Sequence, residues 1–443
     1  MMKLIISLFF LIPLSCFVNW WGMIVSLMLI AFLFLGMFVS LPFLSNISYG
    51  VGTDVVSFSM ILLSIWISMM MVMASHHIYL SNFFVTQFLL LTVSLLIMLV
   101  MCFSSSNVFI FFVFFEGSII PTLFFVFGWG YQSERLVAGY YFLFYTLFAS
   151  LPMLVCLLWM GYFCGTYFFY LVYLDVNFFI YLSLLGAFLV SMPLTFLHFW
   201  LPKAHVEAPV SGSMVLAGVL LKLGGYGMYR ILMFWGGESL KYNEVVFSIS
   251  LYGSAVIGLL GLYQVDIKSM IAYGSICHMG LVICGVMTLS RIGMIGSLIM
   301  MVGHGLCSSG LFSLANIVYE RTYSRSFYLN KGLLTVIPGL GFFWFLFCSN
   351  NMSCPLSLGF FGELMLITSL ISWSFLSFLF VGVSSFLSCC FSIYLYSVVQ
   401  HGSLSVGLLS FSCISVREYL LLFMHCFPLN LMFLSIDVFV LWL

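Results

Sequence analysis

The chain has 443 residues, 64% of them hydrophobic and 5% charged, and its twelve basic and twelve acidic side chains cancel. A water-soluble domain carries about a quarter charged residues, so this composition excludes a water-facing globule, and the lack of a basic patch excludes a nucleic-acid partner. In lipid every backbone amide must be satisfied internally, and apolar runs of about 20 residues without alternation are helices rather than barrel strands.

Taken in order, the opening MMK leads into an apolar run at 4–18. Similar runs recur to the carboxyl end and no small-residue cleavage site follows, so the first run is expected to be a membrane helix rather than a signal peptide. Turn residues and rare charges then mark fourteen expected spans: 4–18, 21–41, 55–74, 83–103, 107–128, 137–160, 178–200, 208–230, 245–263, 269–288, 293–318, 333–372, 374–398 and 420–442. The expected fold is an all-α polytopic membrane protein.

Two spans carry interruptions. The seventh contains Pro193 and runs into Leu201-Pro202, and the twelfth is too long for one crossing and holds SNNMSCP at 349–355. Proline removes a backbone donor, and non-helical backbone survives at membrane depth only inside protein or beside a watery cavity. Broken helices five spans apart suit an inverted repeat, with packing kinks as the alternative. The expected organisation is helices 1–3 at 1–82, a first repeat of helices 4–8 at 83–230, a second of helices 9–13 at 231–398, and helix 14 within 399–443. Loop charges are too few to orient the chain, although Glu134 and Arg321 are expected on one side.

Thirteen cysteines include no CxxC pair, and most lie inside apolar runs, where thiols pack. His76 and His77 are adjacent and no HExxH exists, so no metal site is expected. There is no P-loop, GxSxG elbow or dinucleotide motif. The GGYG at 224–227 is embedded in an apolar helix and reads as helix packing.

Charges inside spans are costly and therefore informative. Glu116 follows eight residues without a polar side chain. It can carry a proton, form half of a switching ion pair, or hydrogen-bond another helix. Lys222 shares a face with Gly218 and Gly225, and lies eight residues before Arg230, about 12 Å deeper in the helix, which argues against snorkelling. Lys268 opens a helix with Ser275 and His278 near its face, and His304 has Ser308 at i+4. Each histidine is either a hydrogen-bonded core residue or a proton relay. Glu363 follows the second break, with Gly359 at i−4, and either titrates or only pairs. Glu134, Glu238, Glu244, Glu320 and Glu418 fall near span ends and are expected in solvent.

LPKAHVEAPVSGSMVLAGVLLKLGGYGMYR at 201–230 resembles the central signature of the subunit 4 family of mitochondrial NADH:ubiquinone oxidoreductase, respiratory complex I. Further matches are FFEGSIIPT at 114–122, ERLVAGYYFLFYTLFASLPML at 134–154, QVDIKSMIAYGSICHMG at 264–280, GHGLCSSGLFSLAN at 303–316, YERTYSRS at 319–326 and LGFFGEL at 358–364. They cover most of the chain beyond residue 100, whereas the first hundred residues match only in hydropathy.

The resemblance implies an antiporter-like subunit similar to those of Mrp-type sodium/proton antiporters, with fourteen helices, inverted five-helix repeats and broken helices 7 and 12. It implies proton translocation across the mitochondrial inner membrane, beside other membrane-arm subunits, including neighbouring antiporter-like ones, and lipid. FMN, iron–sulfur clusters and ubiquinone belong to other subunits, and this chain is expected to bind no cofactor. The implied proton path comprises Glu116, Lys222, Lys268, His278, His304 and Glu363. One member departs from the pattern: Ser191 stands where the family has lysine before the Met-Pro of helix 7, so Glu116 lacks its expected cation. A structural bridging role, or a free-standing cation/proton antiporter, are the alternatives.

Overall fold

The computed structural model describes residues 1–17, 19–37, 45–175, 177–404 and 413–440. The chain begins with α1 (Met2–Phe17), α2 (Trp20–Leu35), the strands β1 (Ser45–Ser48) and β2 (Val51–Thr53), α3 (Val55–Ala74) and α4 (His76–Leu80). It continues through α5 (Val85–Ser104), α6 (Val108–Trp129), α7 (Arg135–Cys164), α8 (Phe178–Ser191) and α9 (Trp200–Glu207). Next are α10 (Val210–Val215) and α11 (Leu221–Leu232), joined by a π turn at Leu216–Leu220. Then follow α12 (Leu240–Leu262), α13 (Ile267–Met287), α14 (Arg291–Thr322), α15 (Pro338–Asn351), α16 (Leu358–Trp373), α17 (Ser377–Gln400), α18 (Val416–Leu431) and α19 (Asp437–Val440).

Among the described residues ten helical stretches are long and apolar enough to cross a membrane, counting Val210–Leu232 as one, and α1, α2, α8 and α16 are shorter apolar helices. The all-α polytopic expectation therefore holds. Both expected breaks are present. The seventh span stops at Ser191 and helix resumes at Trp200, with Phe196 at φ +74°. The expected 333–372 span divides into α15 and α16, with Ser353 at φ +56° and Leu356 at φ +72° between them. Non-glycine residues rarely adopt this left-handed region, so each break is held by its surroundings rather than by local preference.

Other boundaries shift. The last expected span, 420–442, is replaced by α18, a 3₁₀ turn at Met432–Ser435 and α19, with 441–443 outside the described residues. The second ends at Leu35 rather than 41, and 38–44 lie outside the described residues. The β1–β2 hairpin was not expected. Its turn places Tyr49 and Gly50 both at positive φ, the backbone that tight two-residue hairpins require.

The chain forms two compact units: residues 1–192, 207–244 and 437–443 in one, residues 193–206 and 245–436 in the other. In the first unit, Phe188 and Ser191 of α8 pack where Gly227 and Gly224 of α11 leave room. In the second, α14 and α16 approach so closely that a Cβ on Gly362 would stand 2.9 Å from the Met300 backbone nitrogen. Lipid supplies no hydrophobic drive between helices, so small residues that let backbones approach closely account for this packing. Thr195, in the first break, donates to the Ile249 carbonyl of α12 at 3.0 Å, over Gly253, which has no side chain to obstruct it.

Candidate functional site

In the first unit the ionisable core is centred on the Val210–Leu232 stretch, whose apolar window is wholly buried. The π turn inserts one residue, so the Leu221 N–H bonds back to the Leu216 carbonyl, five residues away. Such a turn leaves a carbonyl without its ordinary partner, and π turns concentrate at functional positions. Lys222, with no exposed surface, donates its Nζ to the Ala217 carbonyl, also five residues back. The side chain thus turns down its own helix onto the backbone that the π turn exposes. Gly218 receives the Ile67 side chain of α3, an apolar neighbour rather than water.

Ser191 ends α8, 8% exposed, and its hydroxyl donates to the Phe188 carbonyl at 3.1 Å. A Cβ on Gly224 would lie 2.4 Å from its Oγ, so the serine fills the gap left by Gly224, two residues after Lys222. Glu116 is half-buried on α6 and its Oε1 is buried without a partner, while the Ser150 hydroxyl of α7 donates to the Leu147 carbonyl at 3.3 Å. Among the described residues Glu116 has no ion pair.

Further along the same stretch lies a group that sequence reasoning missed. Arg230, 3% exposed, pairs with Asp54 at 2.7 Å. Tyr170 bonds both, at 3.2 Å from Arg230 and 3.4 Å from Asp54, and the guanidinium stacks over the Tyr226 ring at 4.7 Å. Asp54 is the N-cap of α3, in a capping box with Ser57. Burial alone would raise its carboxyl pKa, but Arg230 and the Ser57 bonds outweigh that and hold it below the usual carboxylate range. The Asp-x-x-Ser pattern at 54–57 was the available signal.

In the second unit, α13 and α14 are almost wholly buried. Lys268, 2% exposed, is the second residue of α13, after the Asp266 N-cap. The His278 and His304 rings lie 5.7 Å apart. Ser308 donates to the His304 carbonyl at 2.7 Å, and Ser275 to the Ala272 carbonyl, so both hydroxyls serve their own helices. Glu363 is 6% exposed; Ser353 neighbours its carboxyl, and Oε1 has no partner.

Two cavities, each about the size of one water, adjoin this group. One is lined by His278, His304, Asn350, Asn351, Ser353 and Gly359 among others. The other is lined by His304, Ser308, Asn351 and Ser392, with Met270 and Ile271 from the turn after Lys268. The structure thus brings His278, His304 and, through Ser353, Glu363 to one locus beside the second break. Pro193 follows Met192, the C-cap of α8, and Pro202 sits in the first turn of α9, where the missing N–H costs little.

The expectation that Glu418 is solvated is corrected: it is 6% exposed and pairs with Arg321 at 2.7 Å, because a capping box with Ser415 turns it inward at the start of α18. Glu134 and Glu244 are exposed, Glu320 accepts from Asn316 at 2.8 Å, and the Glu238 side chain lies outside the described residues. Among the described residues no cluster of His, Cys, Asp or Glu could hold a metal ion.

Residues 105–388 match the family described as NADH:quinone oxidoreductase/Mrp antiporter, TM, and residues 1–102 match NADH-ubiquinone oxidoreductase chain 4, amino terminus. The first hundred residues therefore carry more than a hydropathy likeness. NADH-ubiquinone oxidoreductase chain 4 of Ceratitis capitata is 49% identical over the full length of both chains. The chain of the same description from Locusta migratoria is 47% identical, over 99% of this chain and 100% of the other. A chain of respiratory complex I from Thermus thermophilus with bound NADH shares the fold at a TM-score of 0.87 and 22% identity, over 99% of each chain. One from the membrane-bound sulfane sulfur reductase, an archaeal respiratory membrane complex, does so at 0.85 and 18%, over 97% of this chain and 75% of the other. The chain belongs to the NADH-ubiquinone oxidoreductase chain 4 family, among the antiporter-like membrane proteins.

Proposed function

We propose that the chain is a proton-translocating, antiporter-like subunit of respiratory complex I in the mitochondrial inner membrane, assembled with other membrane-arm subunits while NADH oxidation and ubiquinone reduction proceed elsewhere in the complex. One observation carries this reading: the helices at the centre of each unit, Val210–Leu232 and α13 with α14, are the most buried apolar stretches and bear Lys222, Lys268, His278 and His304. Ionisable groups placed so deep in lipid-spanning helices are costly, and proton conduction is the use that accounts for several at once. A lysine amine turned onto a backbone carbonyl can release and regain its proton as that contact breaks and reforms. Neutral imidazole donates at one nitrogen and accepts at the other, so two rings 5.7 Å apart can pass a proton through one bridging water. Glu363 receives or supplies it at the second break, and Glu116 modulates charge within the first unit.

The test is the number of protons moved per NADH by the reconstituted complex carrying Lys222→Met, Glu363→Gln or Glu116→Gln. A fall with assembly intact is expected for the first two. Unchanged stoichiometry in both would overturn the reading.

A second reading, a bridging subunit with impaired pumping, is favoured by one fact: Ser191 carries no charge and spends its hydroxyl on Phe188. It expects all three variants to leave proton stoichiometry unaltered while electron transfer slows. A free-standing antiporter would instead transport ions alone in liposomes and would not co-purify with other complex I subunits.

A further inference from the structure

We propose that Asn350 is a positioning residue that holds a water in the cavity beside His278 and His304, so that Glu363 connects to the histidines through Ser353 and that water. The inference rests on the proton-translocation reading and adds the element that links its two titratable groups.

Asn350 is 8% exposed, and its amide Nδ2 is buried with no hydrogen-bond partner. An amide donor buried in that way is strongly disfavoured unless something accepts from it. The residue lines the cavity together with both imidazoles and Ser353. The space suits one water, and the lining offers the two to four polar partners a buried water needs. On the other side, Ser353 neighbours the Glu363 carboxyl, whose Oε1 is itself without a partner. Gly359 leaves the approach open, since a Cβ there would lie 3.4 Å from the Asn350 carbonyl oxygen and 3.8 Å from Ser353 Oγ.

The amide donates and accepts but does not titrate, so its part is orientation: it fixes the water, and the imidazoles and carboxyl exchange the proton. The helix break makes this possible, because Ser353 departs from helical backbone at φ +56° and still lines the same cavity as Asn350 at the end of α15.

Two measurements on the whole complex test it. A high-resolution map is expected to show ordered water within about 3.2 Å of Asn350 Nδ2. In liposomes, Asn350→Leu is expected to assemble and to lower protons per NADH at least twofold, while Asn350→Ser, small and polar, keeps most of the wild-type value. Wild-type stoichiometry in Asn350→Leu overturns the inference, as does a map that resolves neighbouring waters but none at Nδ2. Should the leucine variant not assemble, the map decides alone. Glu363→Gln measured in parallel separates the failures. If it lowers stoichiometry and Asn350→Leu does not, only the water is wrong; if neither does, proton passage through this region is wrong as well.

Discussion

The surroundings of Lys222 and of Glu363 treat buried polarity in opposite ways. Beside Lys222 the polar atoms are bound to backbone: Nζ to Ala217, the Ser191 hydroxyl to Phe188, the Tyr226 hydroxyl to the Phe103 carbonyl at 2.9 Å. Side chains fill the remaining space, with Ile67 over Gly218 and Ser191 over Gly224. Beside Glu363, donors and acceptors are left over on Asn350 and on the carboxyl itself, next to water-sized cavities. A buried polar group is tolerated either by satisfying it with protein or by leaving room for water, and each choice has a different consequence. Under the proposed function, the first would be a site whose contacts break before a proton moves. The second would be one through which a proton passes with little rearrangement.

The contrast can be broken most forcefully at Arg230. Replacing it with methionine leaves Asp54 buried and uncompensated, which should cost roughly 3–5 kcal/mol and appear as lost thermal stability or abundance of the assembled complex. Adding Asp54→Asn should recover most of that loss, since no lone charge then remains. If Arg230→Met is silent, the pair does not hold the Lys222 stretch in place.

The glycines offer a sharper comparison. Gly224→Ala forces a Cβ to 2.4 Å from Ser191 Oγ and should destabilise by about 1–3 kcal/mol. Gly359→Ala meets nothing nearer than 3.4 Å and should stay within about 0.5 kcal/mol of wild type. Equal melting shifts for the two would contradict the distinction between a filled and an open site. The smallest effect is expected from Ser191→Ala. The hydroxyl bonds only its own helix, so the cost should be below about 1 kcal/mol and protons per NADH should not change. A clear fall in stoichiometry would mean that Ser191 engages water during turnover.

Glu116, Lys222, Lys268, His278, His304 and Glu363 were legible because a polar residue in an apolar run stands out, and the cost of burying it implies a reason. The breaks were legible through Pro193 and SNNMSCP. Other features left fainter traces. Asp54 sits one residue before its span, outside the apolar run that makes a charge stand out, and Glu418 near a span end was read as solvated. Asn350 was visible only as part of a helix break, since nothing in a sequence states which buried amide lacks a partner. The π turn has no residue signature at all: GSMVLAGVLLK suits an α-helix equally well. The Tyr49–Gly50 hairpin was hidden between long apolar runs that drew attention to helices.

What the sequence determined by itself is the class of protein: composition rules out water as the main solvent, segment length makes the segments helices, and the charges inside apolar runs single out candidates for a functional site. The tertiary structure decided which of those charges are satisfied and by what. Helix periodicity tells which face a residue is on, but the partner on that face comes from a segment far away in the chain. Asp54 and Arg230 lie 176 residues apart, and only folding brings them to 2.7 Å.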